Sequence, residues 1–295
     1  MSDGSTPADF DRLWNFEDPA GTEQQFRALL PKAEAGTDSS YLAVLLTQIA
    51  RTEGLQRRFE DAHRTLDRVE PLLARTSQRA RVRYLLERGR AYNSAGEVKR
   101  ARAFFLDAWD LGRQCGEDFY AVDAAHMMAI IESPEEQLVW ADRAIEEAEA
   151  SDEPGARGWL GSLYNNLGWT YHSLGRYEEA LATFAKGREW QETAGREKGA
   201  IIAAWTVGRA LRSLGRYQEA LDVHRANLER LEAAGDSDGY TEEEIGECLL
   251  AMGREDEARP HFARAFTALK EDPWLPGDEP ERLRRLGELG GVVEV

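Results

Sequence analysis

The sequence predicts an all-α solenoid of six helix-turn-helix units. Three observations carry this reading. Two nine-residue segments, Ser173–Leu181 and Ser213–Leu221, lie 40 residues apart and differ only at Glu178 against Gln218. Extending that register places a small residue at Ala50, Gly89, Ala129, Gly168, Gly208 and Gly246. Twelve residues later every unit has an alanine: Ala62, Ala101, Ala141, Ala180, Ala220 and Ala258.

Each unit reads as two amphipathic helices joined by a tight turn. The small residue of the first helix is expected to face the alanine of the second, so that the backbones approach closely. A mostly large column four residues beyond the alanine (Leu66, Phe105, Ile145, Phe184, His224, Phe262) would fill the space against the next unit. Glycines mark the turn within four units, at Gly96, Gly175, Gly215 and Gly253. Gly116, Gly195 and Gly235 follow second helices, where a left-handed residue closes the helix.

Taken in order, residues 1–39 form an N-terminal segment and capping helix. Thr22–Gln25 reads as a capping box opening a helix that carries Phe26, Leu29 and Leu30. Phe10, Leu13, Trp14 and Phe16 would cover the open end of the first unit. The six units then span 40–78, 79–118, 119–157, 158–197, 198–238 and 239–270. Ser133-Pro134-Glu135-Glu136 starts the second helix of unit three, with an N-cap serine, proline at the first position and an acid at the third. Asp272–Pro276 is expected to be extended and Glu281–Leu289 a short helix, so that residues 271–295 close the other end. Terminal units need such covers, since a bare hydrophobic face would otherwise stay wet. The reading includes no second domain and no linker longer than a loop.

The pattern resembles the tetratricopeptide repeat family. In unit four Tyr164, Leu167, Gly168, Tyr171, Gly175, Tyr177, Ala180 and Phe184 occupy the family's signature columns. Unit five follows with Val207, Gly208, Leu211, Gly215, Tyr217 and Ala220, whereas units one, three and six are degenerate. A period of about 40 exceeds the usual 34, and is similar to the extended-helix subclass of kinesin light chains and LGN-type or Rap-type scaffolds. The resemblance implies a right-handed superhelical solenoid over residues 40–270. No helix-turn-helix module precedes the repeats, which tells against the peptide-regulated transcription factors that use this solenoid.

Composition sets outer bounds. The chain has 295 residues, 37 basic and 54 acidic, for a net charge of −17. That charge opposes binding to nucleic acid or to an anionic membrane surface. With 8 Trp, 9 Tyr and 10 Phe the chain is aromatic enough to fold. Cys115 and Cys248 form no metal or redox motif, so a disulfide scaffold is excluded and a reducing, cytoplasmic compartment is expected. Met1–Pro7 is polar with no apolar core, so no signal peptide is read there. The apolar stretch Leu42–Leu46 is far too short to span a bilayer.

Motifs for chemistry are missing. There is no phosphate-binding G-x-x-x-x-G-K-[ST], no G-x-G-x-x-G after a strand, no H-E-x-x-H and no G-x-S-x-G. His63, His126, His172, His224 and His261 fall in different units. His126 with Asp123 and Glu132 could be imagined as a metal site, but their helical spacing is imperfect. His224 sits in the large column and reads as a packed core histidine, and Cys248 as a small apolar filler. No catalytic residue, cofactor or metal is expected.

The remaining candidate surface is the groove. The family resemblance implies that first helices line it, with the second, fifth, sixth and ninth repeat positions pointing inward. Carried over, this presents Arg51 in unit one, Arg83 and Arg90 in unit two, and His126 with Ile130 in unit three. Unit four presents Asn165, Asn166 and Trp169, with His172 one turn on. Unit five presents Ile202, Trp205 and Arg209, with Arg212 one turn on, and unit six Tyr240, Glu243, Glu244 and Glu247. Asn166 matches the inward asparagine that bonds a bound peptide's backbone in extended-repeat relatives, and an amide suits this because it both donates and accepts. Trp169 and Trp205 face solvent in this register unless a partner covers them or they pack against the next unit. Arg209 and Arg212 could hold a carboxylate, or be solvated. The three-unit carboxylate clamp of chaperone cofactors is not reproduced, because Ile202 and Thr206 stand where polar or basic groups are required.

The expected function is therefore a non-catalytic scaffold or adaptor that binds a protein or peptide segment between units four and six. A regulator responding to a signal peptide or small ligand is the alternative, and an enzyme built on His126, His172 or the groove carboxylates is a third reading. The sequence leaves the oligomeric state open, leaning to a monomer. The charge is uneven: Arg75–Arg102 holds nine basic and two acidic residues, and Asp236–Glu257 nine acidic and one basic. These runs are either solvated helix faces or a groove with electrical polarity that orients a charged partner.

Overall fold

The computed structural model describes residues 10–272 and 275–292. Among them every regular element is helical. The chain resolves into two compact units, residues 1–159 and 160–295, a division that the repeat register does not mark.

The first unit opens with a 3₁₀ turn, Phe10–Leu13, and α1 (Pro19–Ala35). Three hairpins follow: α2 (Ser39–Leu55) with α3 (Phe59–Asp67), α4 (Gln78–Ser94) with α5 (Val98–Cys115), and α6 (Asp118–Ile131) with α7 (Pro134–Ala150). A second 3₁₀ turn, Glu70–Arg75, follows the short α3, and α8 (Pro154–Arg157) ends the unit. The second unit pairs α9 (Leu160–Ser173) with α10 (Tyr177–Thr193), α11 (Glu197–Ser213) with α12 (Tyr217–Ala233), and α13 (Gly239–Ala251) with α14 (Glu255–Leu269). It closes with α15 (Leu275–Asp278) and α16 (Pro280–Gly290). The two helices of each hairpin pack on one another, and within each unit first helices are neighbours: α2 on α4, α4 on α6, α9 on α11, α11 on α13.

The alanine column and the large column are buried in all six hairpins. Their partners differ from the expectation. In four hairpins the small residue of the first helix lies beneath the large residue of the second rather than beneath the alanine. A Cβ at Gly168 would stand 2.3 Å from the ring of Phe184, one at Gly89 2.5 Å from Phe105, and one at Gly208 2.4 Å from His224. The glycine is therefore a seat for the aromatic ring of its own unit.

Other local expectations are met or corrected by the helix ends. The turn glycines and the post-helix glycines all have positive φ, for example 72° at Gly175 and 73° at Gly215. The hairpin of unit one lacks a glycine there, and Arg57 takes φ 61° instead. Unit three turns through extended Glu132 and Ser133 into Pro134, and the Ser133 side chain makes no capping bond. The helix expected to begin at Thr22 begins at Pro19: the Asp18 side chain accepts from the backbone N–H of Gly21, and the Thr22 hydroxyl bonds back to Asn15. Phe10, Leu13 and Trp14 cover the first hairpin with Phe26, but Phe16 lies outside, stacked on Trp14 and 65% exposed. The stretch expected to be extended from Asp272 becomes helical at Leu275, whose N–H is accepted by the Asp272 carboxylate at 2.9 Å. Pro273, Trp274 and the polar Met1–Pro7 lie outside the described residues.

Candidate binding face

The first helices carry the residues that the register turns inward, and ion pairs tie many of the charged ones to neighbouring side chains. In the first unit Arg90 on α4 donates from Nη2 to both oxygens of Asp123 on α6 and from Nη1 to Glu87 at 2.6 Å. Burial opposes the Arg90 charge, but Asp123 and Glu87 outweigh it and hold the guanidinium above its ordinary pKa. Arg51 on α2 lies 3.8 Å from Glu87. Its pKa is lowered by burial and then by the charge of Arg90. Arg83 donates to the Tyr120 hydroxyl at 2.9 Å and stands over that ring. His126 packs 5.1 Å from the Trp159 ring, and its pKa is lowered by burial. Asp123 and Glu132, the carboxylates nearest to it in sequence, are engaged by Arg90 and Arg102. Among the described residues no group of three or more His, Cys, Asp or Glu side chains is arranged to hold a metal ion.

In the second unit α13 is covered on all sides from Thr241 to Gly246. Three consecutive glutamates are buried there, and each points about 100° from the last around the helix. Each meets an arginine from a different helix: Glu242 meets Arg264 of α14, Glu243 meets Arg282 of α16, and Glu244 meets Arg212 of α11. Glu247 pairs with Arg285 of α16, and the Tyr240 hydroxyl donates to Asp272 at 3.1 Å. Tyr240, Glu243 and Glu247, read from sequence as a groove-lining acidic end, therefore anchor the closing helix and the segment before it. Arg212 also departs from its expected role, because its bidentate carboxylate is Glu244, at 2.6 and 2.9 Å, and not a ligand's. The charge contrast between the two runs is largely spent on internal pairs.

The step between α9 and α11 is different. No ion pair bridges these two helices among those found in the described residues. Trp169 and Trp205 meet across it with ring centroids 6.1 Å apart, and Trp169 also packs edge-on against Phe184 and His172. Both indoles are half-buried, so the solvent exposure that the register predicts is only partial. His172 Nε2 lies 2.9 Å from the Ser213 hydroxyl, which also accepts from Arg209 Nη1 at 2.6 Å. Asn166 is exposed and Asn165 half-buried beside it, their amides 3.4 Å apart. Ile202, one turn before Trp205 on the same face of α11, is 60% exposed.

Two groups here were not legible as partners. Ser213 stands one turn beyond Arg209, and in the sequence it is marked only as part of the repeated segment. The arginines Arg282 and Arg285 lie in the closing helix, far in sequence from the acids they meet. An i+4 hydroxyl after an inward arginine is a signal that could have found the first; nothing local could have found the second.

Comparisons with known proteins agree with this architecture. Residues 161–193 and 200–271 match family models of the tetratricopeptide repeat. No curated protein matches the chain. Among solved structures, the apo form of RapI is similar with a TM-score of 0.72 at 15% identity, covering 94% of this chain and 81% of that one. The apo quorum sensor NprR from B. thuringiensis is similar with a TM-score of 0.61 at 16% identity, covering 94% of this chain and 78% of that one. A signal transduction ATPase with a tetratricopeptide repeat sensor, from Pyrococcus horikoshii, gives a TM-score of 0.72 at 16% identity; 92% of this chain is covered but only 43% of that one. At these identities the likenesses speak for the fold. The matched models, read with the recurring hairpins and their glycine seats, identify residues 161–193 and 200–271 as tetratricopeptide repeats.

Proposed function

We propose that the chain is a peptide- or protein-binding scaffold whose ligand lies on the α9–α11 face, acting without chemistry of its own. The observation that carries this is that apolar and neutral polar groups, rather than ion pairs, line this step. On α4 and α13 charges such as Arg90, Glu243 and Glu244 pair with neighbouring helices, but here an exposed aliphatic residue (Ile202), two half-buried indoles (Trp169, Trp205) and the exposed Asn166 adjoin. Large apolar anchors rimmed by adaptable polar groups are the composition of binding hot spots. His172 and Arg209 complete the face, while Arg51, Arg83, Arg90 and His126 would form a second, more polar stretch in the first unit. With two free cysteines, a reducing cytoplasmic setting fits the composition.

The test uses a displayed library of random twelve-residue peptides. Peptides that bind the wild type should lose at least ~10-fold in affinity against Ile202→Asp, while Val139→Asp, an exposed residue on α7, leaves binding unchanged. Equal binding to both variants would remove the assignment. A regulator is the second reading, favoured by the likeness to a quorum sensor; small-angle scattering showing that the selected peptide compacts the protein would support it.

A further inference from the structure

The charges on the second unit's inner face do not balance. Two guanidiniums, Arg209 and Arg212, share one carboxylate, Glu244. Arg212 takes it with two good hydrogen bonds, at 2.6 and 2.9 Å, leaving Arg209 a longer approach of 3.4 Å from Nε. The other nearby acids on α13 are engaged elsewhere, Glu243 by Arg282 and Glu247 by Arg285. The neutral Ser213 hydroxyl takes Arg209 Nη1. Arg209 is thus a partly buried cation, its side chain 26% exposed, without a full counter-charge of its own. Consistent with this, burial and the charge of Arg212 lower the pKa of Arg209, and burial followed by Arg209 and Arg212 lowers that of His172. Burying a charge is costly unless it is paired.

Arg209 also shares its face of α11 with Trp205, one turn away, and with Ile202, two turns away. We infer that the α9–α11 face selects an acidic peptide segment, with Arg209 receiving an Asp or Glu side chain while the Trp205–Ile202 surface takes a neighbouring large apolar side chain. A side chain within the segment is named rather than a chain terminus, and amidation of the peptide's C-terminus separates the two. The inference rests on the peptide-binding reading above and adds the ligand's chemistry to it. The net −17 of the whole chain repels such a segment at long range, so selectivity must come from the close contact.

The same displayed library supplies the test. Sequences recovered on wild-type protein should be enriched in Asp or Glu a few residues from Leu, Ile, Phe or Trp. Arg209→Gln should abolish the acidic enrichment and keep the apolar one, and Arg209→Lys should restore it in part. A variant that fails to fold is bypassed on the ligand side. Changing the peptide's Glu to Gln should weaken binding to wild-type protein by ~10-fold or more, since a hydrogen bond to a charged group contributes about that much or more, and amidating its C-terminus should change little. Peptides recovered without acidic enrichment, or a Gln peptide bound as tightly as the Glu one, would overturn the inference and leave the binding face standing. A loss on amidation alone would overturn the side-chain assignment. Recovery of no peptide sensitive to Ile202→Asp would overturn both.

Discussion

Gly208 lies directly beneath the imidazole of His224, so that a Cβ at position 208 would stand 2.4 Å from Nε2. The same seat holds Phe184 over Gly168 and Phe262 over Gly246. Gly208→Ala gains roughly 1 kcal/mol in helix propensity but forces the ring aside in a packed layer, which typically costs about 1–3 kcal/mol. The expected outcome is a net loss of stability in urea unfolding, in contrast to a gain for a Gly→Ala change with open space around it, such as Gly54.

His224 is fully buried, and among the described residues neither ring nitrogen has a hydrogen-bond partner within bonding distance; Glu244 is 3.8 Å away. Burial drives its pKa from 6.5 down to about 4. A depressed pKa means that the unfolded chain binds the proton first, so stability is full above pH 6.5 and is lost as pH falls towards 4. Each unit of separation is worth about 1.4 kcal/mol. His224→Phe, which copies the ring found in the neighbouring units, should raise the melting temperature at pH 7. The gap should widen at pH 4.5, and a constant gap would show that His224 does not titrate with folding.

Glu243 and Arg282 tie α13 to the closing helix, with bonds of 2.6 and 2.9 Å at a carboxylate that is almost fully buried. Removing one partner strands the other. Arg282→Ala should therefore cost about 3–5 kcal/mol, the usual penalty for an orphaned buried charge. The paired change Arg282→Met with Glu243→Met should recover most of it. A double-mutant cycle by chemical denaturation measures the difference, and additive single effects would refute the coupling.

The two cysteines should differ in reactivity. Cys248 is buried and burial lifts its thiol to about 12, whereas Cys115 ends α5 exposed. Under native conditions at pH 8, iodoacetamide should modify Cys115 and leave Cys248 intact, as read by peptide mass spectrometry, because the thiolate is the reactive form. Denaturation should release the second site.

Ile202→Asp serves as a stability control for the binding test. A surface substitution away from caps and cores usually stays within about 0.5 kcal/mol, and Ile202 is 60% exposed. An unfolding midpoint unchanged within that margin, together with lost peptide binding, would separate recognition from folding.

Much of the architecture is legible in the sequence because the features that specify it are local and recurrent. Glycine at 175 and 215, alanine at 180 and 220 and large residues at the seat positions repeat in register, and each unit solves the same packing problem. Close helix approach demands small residues whatever the neighbours are, so the columns announce the hairpins. Which column faces which was decided by the direction side chains take from a helix, and there the glycines proved to seat rings and not alanines. The candidate face was legible as a set of positions but not as a set of free groups. Arg212, Glu243, Glu244 and Glu247 all stand at inward register positions, and only the packed structure commits them to one another or to α16. Ion pairing depends on distance in space between residues roughly 30–40 apart in sequence, and periodicity carries no information about it. The sequence by itself determined the helical repeat and the register of its small and large columns. The tertiary structure decided which charges neutralise one another, because pairing follows distance in space, and it left Arg209 to share the single carboxylate of Glu244 with Arg212.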